Sequence, residues 1–80
     1  MSNNNEILGK VQEVFKAAMG NNVVVDMNTE KPMVEEWDSL NHLNLVVELE
    51  SAFGLNLSMK EIEELNSVKK IVEIISTRVA

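Results

Sequence analysis

Apolar side chains recur every three or four residues along most of this chain, and that spacing limits the possible fold more than any other feature. In residues 5–19 the apolar positions share one face of a helix, and Gly20 follows where the pattern stops. Residues 39–53 are also apolar at helical spacing and end before Gly54, a residue type that often closes a helix. The pattern therefore predicts two long helices joined by a connection over residues 20–37.

Two more helices are predicted in the last third of the chain. Residues 59–65 form a short one, with Ser58 as its N-cap and Glu61 completing a capping box three positions later. Residues 67–79 form the last helix, with Ser67 as its cap and its valines and isoleucines along one stripe. We therefore predict an all-α fold, a small four-helix bundle with three long helices, a short third helix and a long first loop.

The connection over residues 20–37 is long for a chain of 80 residues. The apolar residues that can pin it to the helices are Val23, Val24, Val25, Met27, Met33, Val34 and Trp37. The valine run favours a strand, but no other segment offers a partner strand. We therefore expect an ordered loop.

Composition excludes several classes of protein. The net charge is −6, whereas surfaces that bind nucleic acid or anionic membranes need clusters of Lys and Arg. There is no cysteine, so the chain has neither a disulfide framework nor a thiolate metal site. An acidic surface instead favours partner proteins with basic patches, or it serves only to keep a small protein soluble.

The N-terminal residues 1–5 are polar and lack the basic and then apolar profile of a signal peptide. One of the three asparagines in this segment can cap the first helix. No apolar run in the chain approaches the ~18 residues that are needed to cross a membrane. We therefore expect a soluble, cytoplasmic monomer, with residues 1–80 as one domain.

The tetrapeptide Trp37-Asp38-Ser39-Leu40 lies where the loop gives way to the second helix. Asp38 suits the N-cap, since its carboxylate can accept backbone N–H groups of the first turn, a contact worth roughly 1 kcal/mol. Ser39 then falls at the first helical position, where unpaired N–H groups and the helix dipole favour an attached phosphate. Ser39 is therefore a candidate site of modification, although a serine at a helix start is often purely structural.

The second helix carries two apolar stripes rather than one. At about 100° per residue, one arc that is wide enough to face a core contains Leu45, Val46, Leu49 and Phe53. A separate arc contains Leu40, Leu43 and Val47. A helix in a small bundle buries only one broad stripe, and exposed apolar groups bordered by charge usually mark contact sites. We predict that the second stripe contacts partner proteins, with cover by Trp37 or Met33 as the alternative.

Together these features resemble the acyl carrier protein family. The resemblance rests on the string Asp38-Ser39-Leu40 and on the apolar helix after it, which ends in the run Glu48-Leu49-Glu50-Ser51-Ala52-Phe53-Gly54. In that family the serine of this string carries 4′-phosphopantetheine through a phosphodiester. The resemblance implies that residues 1–80 form a single acyl carrier domain, that the protein is not an enzyme, and that Ser39 is the attachment site.

The same resemblance implies how the protein acts and with which partners. A separate phosphopantetheinyl transferase is expected to use coenzyme A and Mg²⁺ to modify Ser39, and the thiol of the arm to hold acyl groups as thioesters. The chain then shuttles these groups between enzymes of fatty-acid, polyketide or related specialised biosynthesis. The expected contacts with basic docking patches on the transferase and on these enzymes are Leu40, Leu43, Val47, Glu48 and Glu50.

Some residues depart from the family pattern and leave alternatives open. Asn41 and Asn44 stand where fatty-acid carriers often have acidic residues, and Trp37 stands where a small residue is common. These departures resemble carriers of specialised or surface-glycan pathways. A peptidyl or aminoacyl carrier is the nearest alternative, although such carriers tend to be less acidic. An unmodified helical interaction module is the alternative from a different class.

Two other groups of residues contain types that occur in catalytic or metal-binding sites, but neither group meets the requirements of such a site. Ser39, His42 and Asp38 do not form a hydrolase triad, since His42 lies near the core stripe and Asp38 is better used as a cap. We therefore expect His42 to be a packed or surface histidine. Residues 26–30 begin like a calcium-binding loop, but its sixth and twelfth positions hold lysine and tryptophan instead of glycine and glutamate. We therefore expect no metal site.

Overall fold

The computed structural model describes residues 4–79, and its helices lie where the sequence predicts them. Helix α1 spans Asn4–Met19, α2 spans Ser39–Phe53, α3 spans Met59–Glu64 and α4 spans Val68–Val79. No predicted boundary differs from these by more than one residue, so the all-α prediction with a short third helix is confirmed. None of the helices in residues 4–79 combines the length and the apolar character that crossing a bilayer requires.

The core lies between the three long helices, because α1 packs against both α2 and α4. Its aromatic centre is the pair Phe15 and Trp37, whose ring centroids are 4.9 Å apart with planes at 78°, an edge-to-face contact. The buried hydrophobic residues of the described chain are Ile7, Val11, Val14, Phe15, Val23, Val25, Trp37, Leu45, Val46, Leu49, Leu57, Leu65, Val68, Ile71, Val72 and Ile75. Loop residues thus complete a core that the helices alone would leave open.

Helix α1 ends at the glycine that the sequence indicates. The N–H of Gly20 donates to the carbonyl of Lys16 at 2.9 Å, and Gly20 has a φ of 116°, which residues with a side chain rarely adopt. The prediction that one of the three asparagines caps α1 is not tested, because it falls partly on Asn3, which lies outside the described residues. Residues 1–3, on which the signal-peptide prediction partly depends, also lie outside them.

The connection between α1 and α2 is an ordered loop, as expected. Val23, Val25 and Trp37 are buried in the core, whereas Val24 and Met33 are exposed and do not pin the loop. The expected contribution of these last two residues is therefore wrong. For Val24 the reason is geometric, since it lies between the buried Val23 and Val25, and alternate residues of an extended segment point in opposite directions.

Two short structures in this connection were not expected. A 3₁₀ helix spans Lys31–Met33, and Pro32 in its first turn has a fixed φ that suits helical geometry. Glu30 pairs with Ser67 in an isolated antiparallel bridge, so the loop is tied to the start of α4. A bridge of one residue on each side leaves no alternating pattern in the sequence, which is why it was not predicted.

Helix α3 has no fully buried residue, but Ile62 is partly buried against the core and polar contacts hold both ends of the helix. Ser58 Oγ accepts the N–H of Glu61 at 3.1 Å, and the Glu61 carboxylate accepts the N–H of Ser58 at 2.9 Å, which confirms the predicted capping box. Arg78, near the end of α4, donates to Glu61 at 2.6 Å and to the carbonyl of Asn56 at 2.6 Å. The Ser58 N–H and the Arg78 guanidinium hold the pKa of Glu61 below its usual range.

Candidate functional site

Ser39 is the first residue of α2, and its side chain is exposed. Asp38 before it is the N-cap, with an extended backbone (φ −98°, ψ −174°) and a carboxylate that accepts the N–H of Asn41 at 2.8 Å. The predicted cap is therefore confirmed. Because Asp38 does the capping, the Ser39 hydroxyl makes no hydrogen bond with any described residue. The hydroxyl is thus available at the positive end of the helix dipole.

The segment before Ser39 is folded tightly and anchored in the core. The N–H of Trp37 donates to the carbonyl of Val34 at 3.0 Å, and the N–H of Asp38 donates to the carbonyl of Glu36 at 3.0 Å. The Trp37 side chain is only 3% exposed, which fixes this turn against the body of the protein. Trp37 therefore lies inside the core and does not cover the second apolar stripe of α2.

The two apolar stripes of α2 differ in exposure as predicted. The buried face of α2 consists of Leu45, Val46 and Leu49, none of which is more than 6% exposed. The exposed face of α2 consists of Leu40, Leu43 and Val47, which are between 59% and 69% exposed. The exposed face begins one residue after Ser39 and continues along the helix. Its exposure is confirmed, and its role as a partner contact stays a prediction.

Acidic residues lie near the exposed face, but not all of them are free to bind partners. Glu48 is exposed and borders a groove between α1 and α2. Glu50 is half-buried, and its carboxylate accepts the N–H of Leu57 at 2.8 Å, a structural contact that the sequence does not show. Glu35 and Glu36, which were not predicted as site residues, are exposed in the segment just before α2. Negative charge near the site therefore comes from the loop as well as from the helix.

Of the two asparagines that depart from the family pattern, Asn41 joins α2 to the segment before it and Asn44 contacts Asn41. Asn41 donates from Nδ2 to the carbonyl of Glu36 at 2.8 Å, and its Oδ1 accepts from Nδ2 of Asn44 at 3.1 Å. An ionised aspartate at position 41 has no hydrogen to donate to that carbonyl. The departure at Asn41 is thus explained by a contact within the chain, which sequence reasoning missed because the acceptor is a backbone group.

His42 is half-buried one turn after Ser39, and both of its ring nitrogens have partners. Its Nδ1 lies 2.9 Å from Nε1 of Trp37, and its Nε2 lies 2.9 Å from the carbonyl oxygen of Ile62. Neither nitrogen is free to act as a base toward Ser39, which agrees with the prediction of a packed or surface histidine. A core tryptophan needs an acceptor for its N–H, so this pair had a signal in the sequence that was overlooked.

Comparisons with known proteins agree with this geometry. A family profile described as a phosphopantetheine attachment site matches residues 5–75. A protein named acyl carrier protein, from Rubrobacter xylanophilus, is 33% identical over 75 residues, and the match covers 88% of each chain. The fold and the match together define a domain that carries a phosphopantetheine group. The chain belongs to the acyl carrier protein family, whose members are carriers and not catalysts.

The group that this family carries is 4′-phosphopantetheine, and the start of α2 fits its attachment. A phosphodiester needs a hydroxyl that is reachable from solvent, which Ser39 provides. Ser58 and Ser67 differ, because their hydroxyls accept backbone N–H groups at the starts of α3 and α4. Ser51 is exposed but lies in the last turn of α2, at the negative end of the helix dipole. Ser39 is therefore the best suited of these four serines.

Proposed function

We propose that Ser39 carries the 4′-phosphopantetheine arm of this carrier. The observation that supports the proposal most strongly is the exposed Ser39 hydroxyl at the first position of α2, which has no hydrogen-bond partner among the described residues. Asp38 contributes by capping the helix, which fixes the backbone beside the hydroxyl. The phosphate is then favoured by the positive end of the α2 dipole.

Attachment is a transfer from coenzyme A that a separate, Mg²⁺-dependent phosphopantetheinyl transferase performs. The Ser39 oxygen forms a bond to the phosphorus that bears pantetheine, while the pyrophosphate bond of coenzyme A breaks. The hydroxyl proton passes to the transferase, and adenosine bisphosphate leaves. The carrier supplies the nucleophilic oxygen and the docking surface, so its chemistry is limited to presenting one hydroxyl.

The proposed role is to shuttle acyl intermediates between enzymes of fatty-acid, polyketide or related specialised biosynthesis. The arm, when attached, supplies the thiol that holds an acyl group as a thioester. The residues of the chain present the arm and bind the enzymes that load and unload it. In this proposal residues 1–80 act as one carrier domain, as a monomer in the cytoplasm.

The exposed face of α2 is the proposed docking surface for the transferase and for acyl-processing enzymes. A partner that covers it removes apolar side chains from water, which is favourable by about 25 cal/mol per Å². Glu35, Glu36 and Glu48 are exposed near this face and favour partners with basic patches, because complementary charge speeds encounter. Glu50 is the predicted contact that suits this role least, since its carboxylate already accepts the Leu57 N–H.

Intact mass spectrometry tests the attachment site. After incubation with coenzyme A, Mg²⁺ and a promiscuous transferase, the wild-type protein should gain the mass of one arm and Ser39→Ala should gain none. Ser51→Ala is the matched control, because it removes another exposed serine of α2, and it should gain one arm. No gain by the wild type, with a transferase that modifies another carrier, would contradict the proposed function. A gain by Ser39→Ala would assign the arm to another residue.

A further inference from the structure

His42 connects two segments that flank the start of α2, and the two contacts together indicate which ring nitrogen carries the hydrogen. The indole Nε1–H of Trp37 can only donate, so Nδ1 of His42 must accept. The other nitrogen, Nε2, faces a carbonyl oxygen of Ile62, which can only accept. These two contacts are satisfied together by the tautomer with its hydrogen on Nε2.

The geometry of the Trp37 contact is that of a directed hydrogen bond. The two ring planes are nearly parallel, at 17° to each other, with centroids separated by 6.3 Å, and the two nitrogens are 2.9 Å apart. Because the centroids are far apart while the two nitrogens are at hydrogen-bond distance, the rings meet through their edges, and the indole N–H donates to the histidine lone pair. Since Trp37 is buried, its N–H would be left without a partner if His42 were absent.

The Ile62 contact reaches α3, the helix that has no fully buried residue. Arg78 holds the beginning of this helix through Glu61 and the carbonyl of Asn56. The carbonyl that His42 binds belongs to the last turn of α3. His42 is thus the polar contact that ties the end of α3 to α2.

A second contact holds the same turn before Ser39 to α2. Asn41, the neighbour of His42, donates to the carbonyl of Glu36 at 2.8 Å. Two consecutive residues of α2 therefore bind the segment 36–38, one through the backbone of Glu36 and one through the indole of Trp37. The backbone on either side of the Ser39 hydroxyl is fixed by these contacts together with the Asp38 cap.

We propose that His42 is a positioning residue for the modification of Ser39. It makes no hydrogen bond with the Ser39 hydroxyl, and it acts through Trp37 and Ile62. By holding the turn before Ser39 and the end of α3 against α2, it keeps in one arrangement the surface that a transferase must recognise. This inference rests on the proposed function, because it concerns the modification reaction at the same serine.

Steady-state kinetics of arm transfer to three variants test the proposal. His42→Leu removes both hydrogen bonds, whereas His42→Gln keeps one acceptor and one donor on its side-chain amide. For His42→Leu we expect KM for the carrier to rise about tenfold with kcat within about twofold, because two hydrogen bonds that order the docking surface are lost. His42→Gln should recover most of this loss. Trp37→Phe removes the indole N–H together with part of the ring, and it should also raise KM.

The indole N–H provides a direct spectroscopic readout, since Trp37 is the only tryptophan of the chain. Its single indole NMR signal should be protected from solvent exchange in the wild type and in His42→Gln, and should lose protection in His42→Leu. If His42 only added stability, His42→Leu would lower the melting temperature without changing KM at temperatures where every variant is folded. Should His42→Leu fail to fold, the KM values of His42→Gln and Trp37→Phe and the exchange of the wild-type indole N–H still test the positioning role.

Several results would overturn the positioning role. These are a wild-type KM in folded His42→Leu or in Trp37→Phe, equal defects in the Gln and Leu variants, or rapid exchange of the wild-type indole N–H. Each of them leaves the proposed function intact, because the wild-type protein would still gain an arm on Ser39. If the wild type itself gains no arm, the proposed function fails first, and the two failures are therefore distinguishable by mass.

Discussion

The two faces of α2 are built from the same types of residue but lie in opposite surroundings. Leucine and valine side chains of the buried face are almost completely removed from water, whereas those of the exposed face keep more than half of their surface in water. Burying such a side chain is favourable by ~1.5–3 kcal/mol, so the buried face stabilises the fold and the exposed face contributes little. Folding therefore explains only one face of this helix, and docking is the role we propose for the other.

The largest effect is expected on the buried face. Leu49 is fully buried, so Leu49→Ala should lower the free energy of unfolding by ~2–5 kcal/mol through lost burial and the cavity left behind. Urea denaturation monitored by circular dichroism measures this change. Arm transfer at a temperature where the variant is folded should keep a KM close to that of the wild type. A loss of stability below ~1 kcal/mol would contradict the assignment of this face to the core.

A smaller effect is expected at the N-terminal start of α2, where Asp38 caps the helix. Asp38→Ala removes the carboxylate that accepts the Asn41 N–H, and it should lower the free energy of unfolding by ~1 kcal/mol. Asp38→Asn is the matched control, because its amide oxygen can still cap the helix. Thermal melts of the two variants should therefore separate them, and equal melting temperatures would show that the cap contributes nothing measurable.

On the exposed face we expect little loss of stability but weaker binding of the transferase, the reverse of the Leu49 result. Leu43→Ala should change the free energy of unfolding by no more than ~0.5 kcal/mol, since the side chain is mostly in water. The same variant should raise the transferase KM by about fivefold or more if this leucine is buried on docking. Val24→Ala, which removes part of an exposed apolar side chain outside α2, is the control and should leave both quantities unchanged. A sharp drop in stability would place Leu43 in the core.

The smallest effect should come from Glu61, which lies on neither face of α2. Its pKa is lowered in the folded protein, so its stabilising contribution is complete above the pKa of an unperturbed glutamate, about 4.3. That contribution is lost as the pH falls through the lower folded-state pKa. The stability difference between the wild type and Glu61→Gln should therefore shrink as melts are repeated at decreasing pH below about 4.3. A difference that stays constant down to acid pH would argue against the Ser58 and Arg78 contacts.

The helices and the two faces of α2 could be predicted because they depend on rules that act over a few residues. Gly20 and Gly54 end helices through their backbone freedom, and Asp38 and Ser58 begin them through side-chain caps. The exposure of the second stripe followed from the same spacing. A helix can turn only one broad arc toward a core, so the angle between two residues decides which of them is buried.

The contacts that surround the site could not be predicted in the same way. His42, Asn41 and Glu50 each bind a backbone group of another segment, at Ile62, Glu36 and Leu57 respectively. Backbone groups are present at every residue, so the sequence does not indicate which one a side chain will reach. Only the assembled fold brings these partners together, and it thereby gives Glu50 a structural contact in addition to its predicted role.

The most direct test of the difference between the two faces is a titration of the protein with a phosphopantetheinyl transferase, followed by methyl NMR of its leucines and valines. We expect the methyl signals of Leu40, Leu43 and Val47 to shift or broaden on binding, while those of Leu45, Val46 and Leu49 stay unchanged. Changes confined to α1 or α4, or equal changes on both faces of α2, would contradict the assignment of the exposed face to docking.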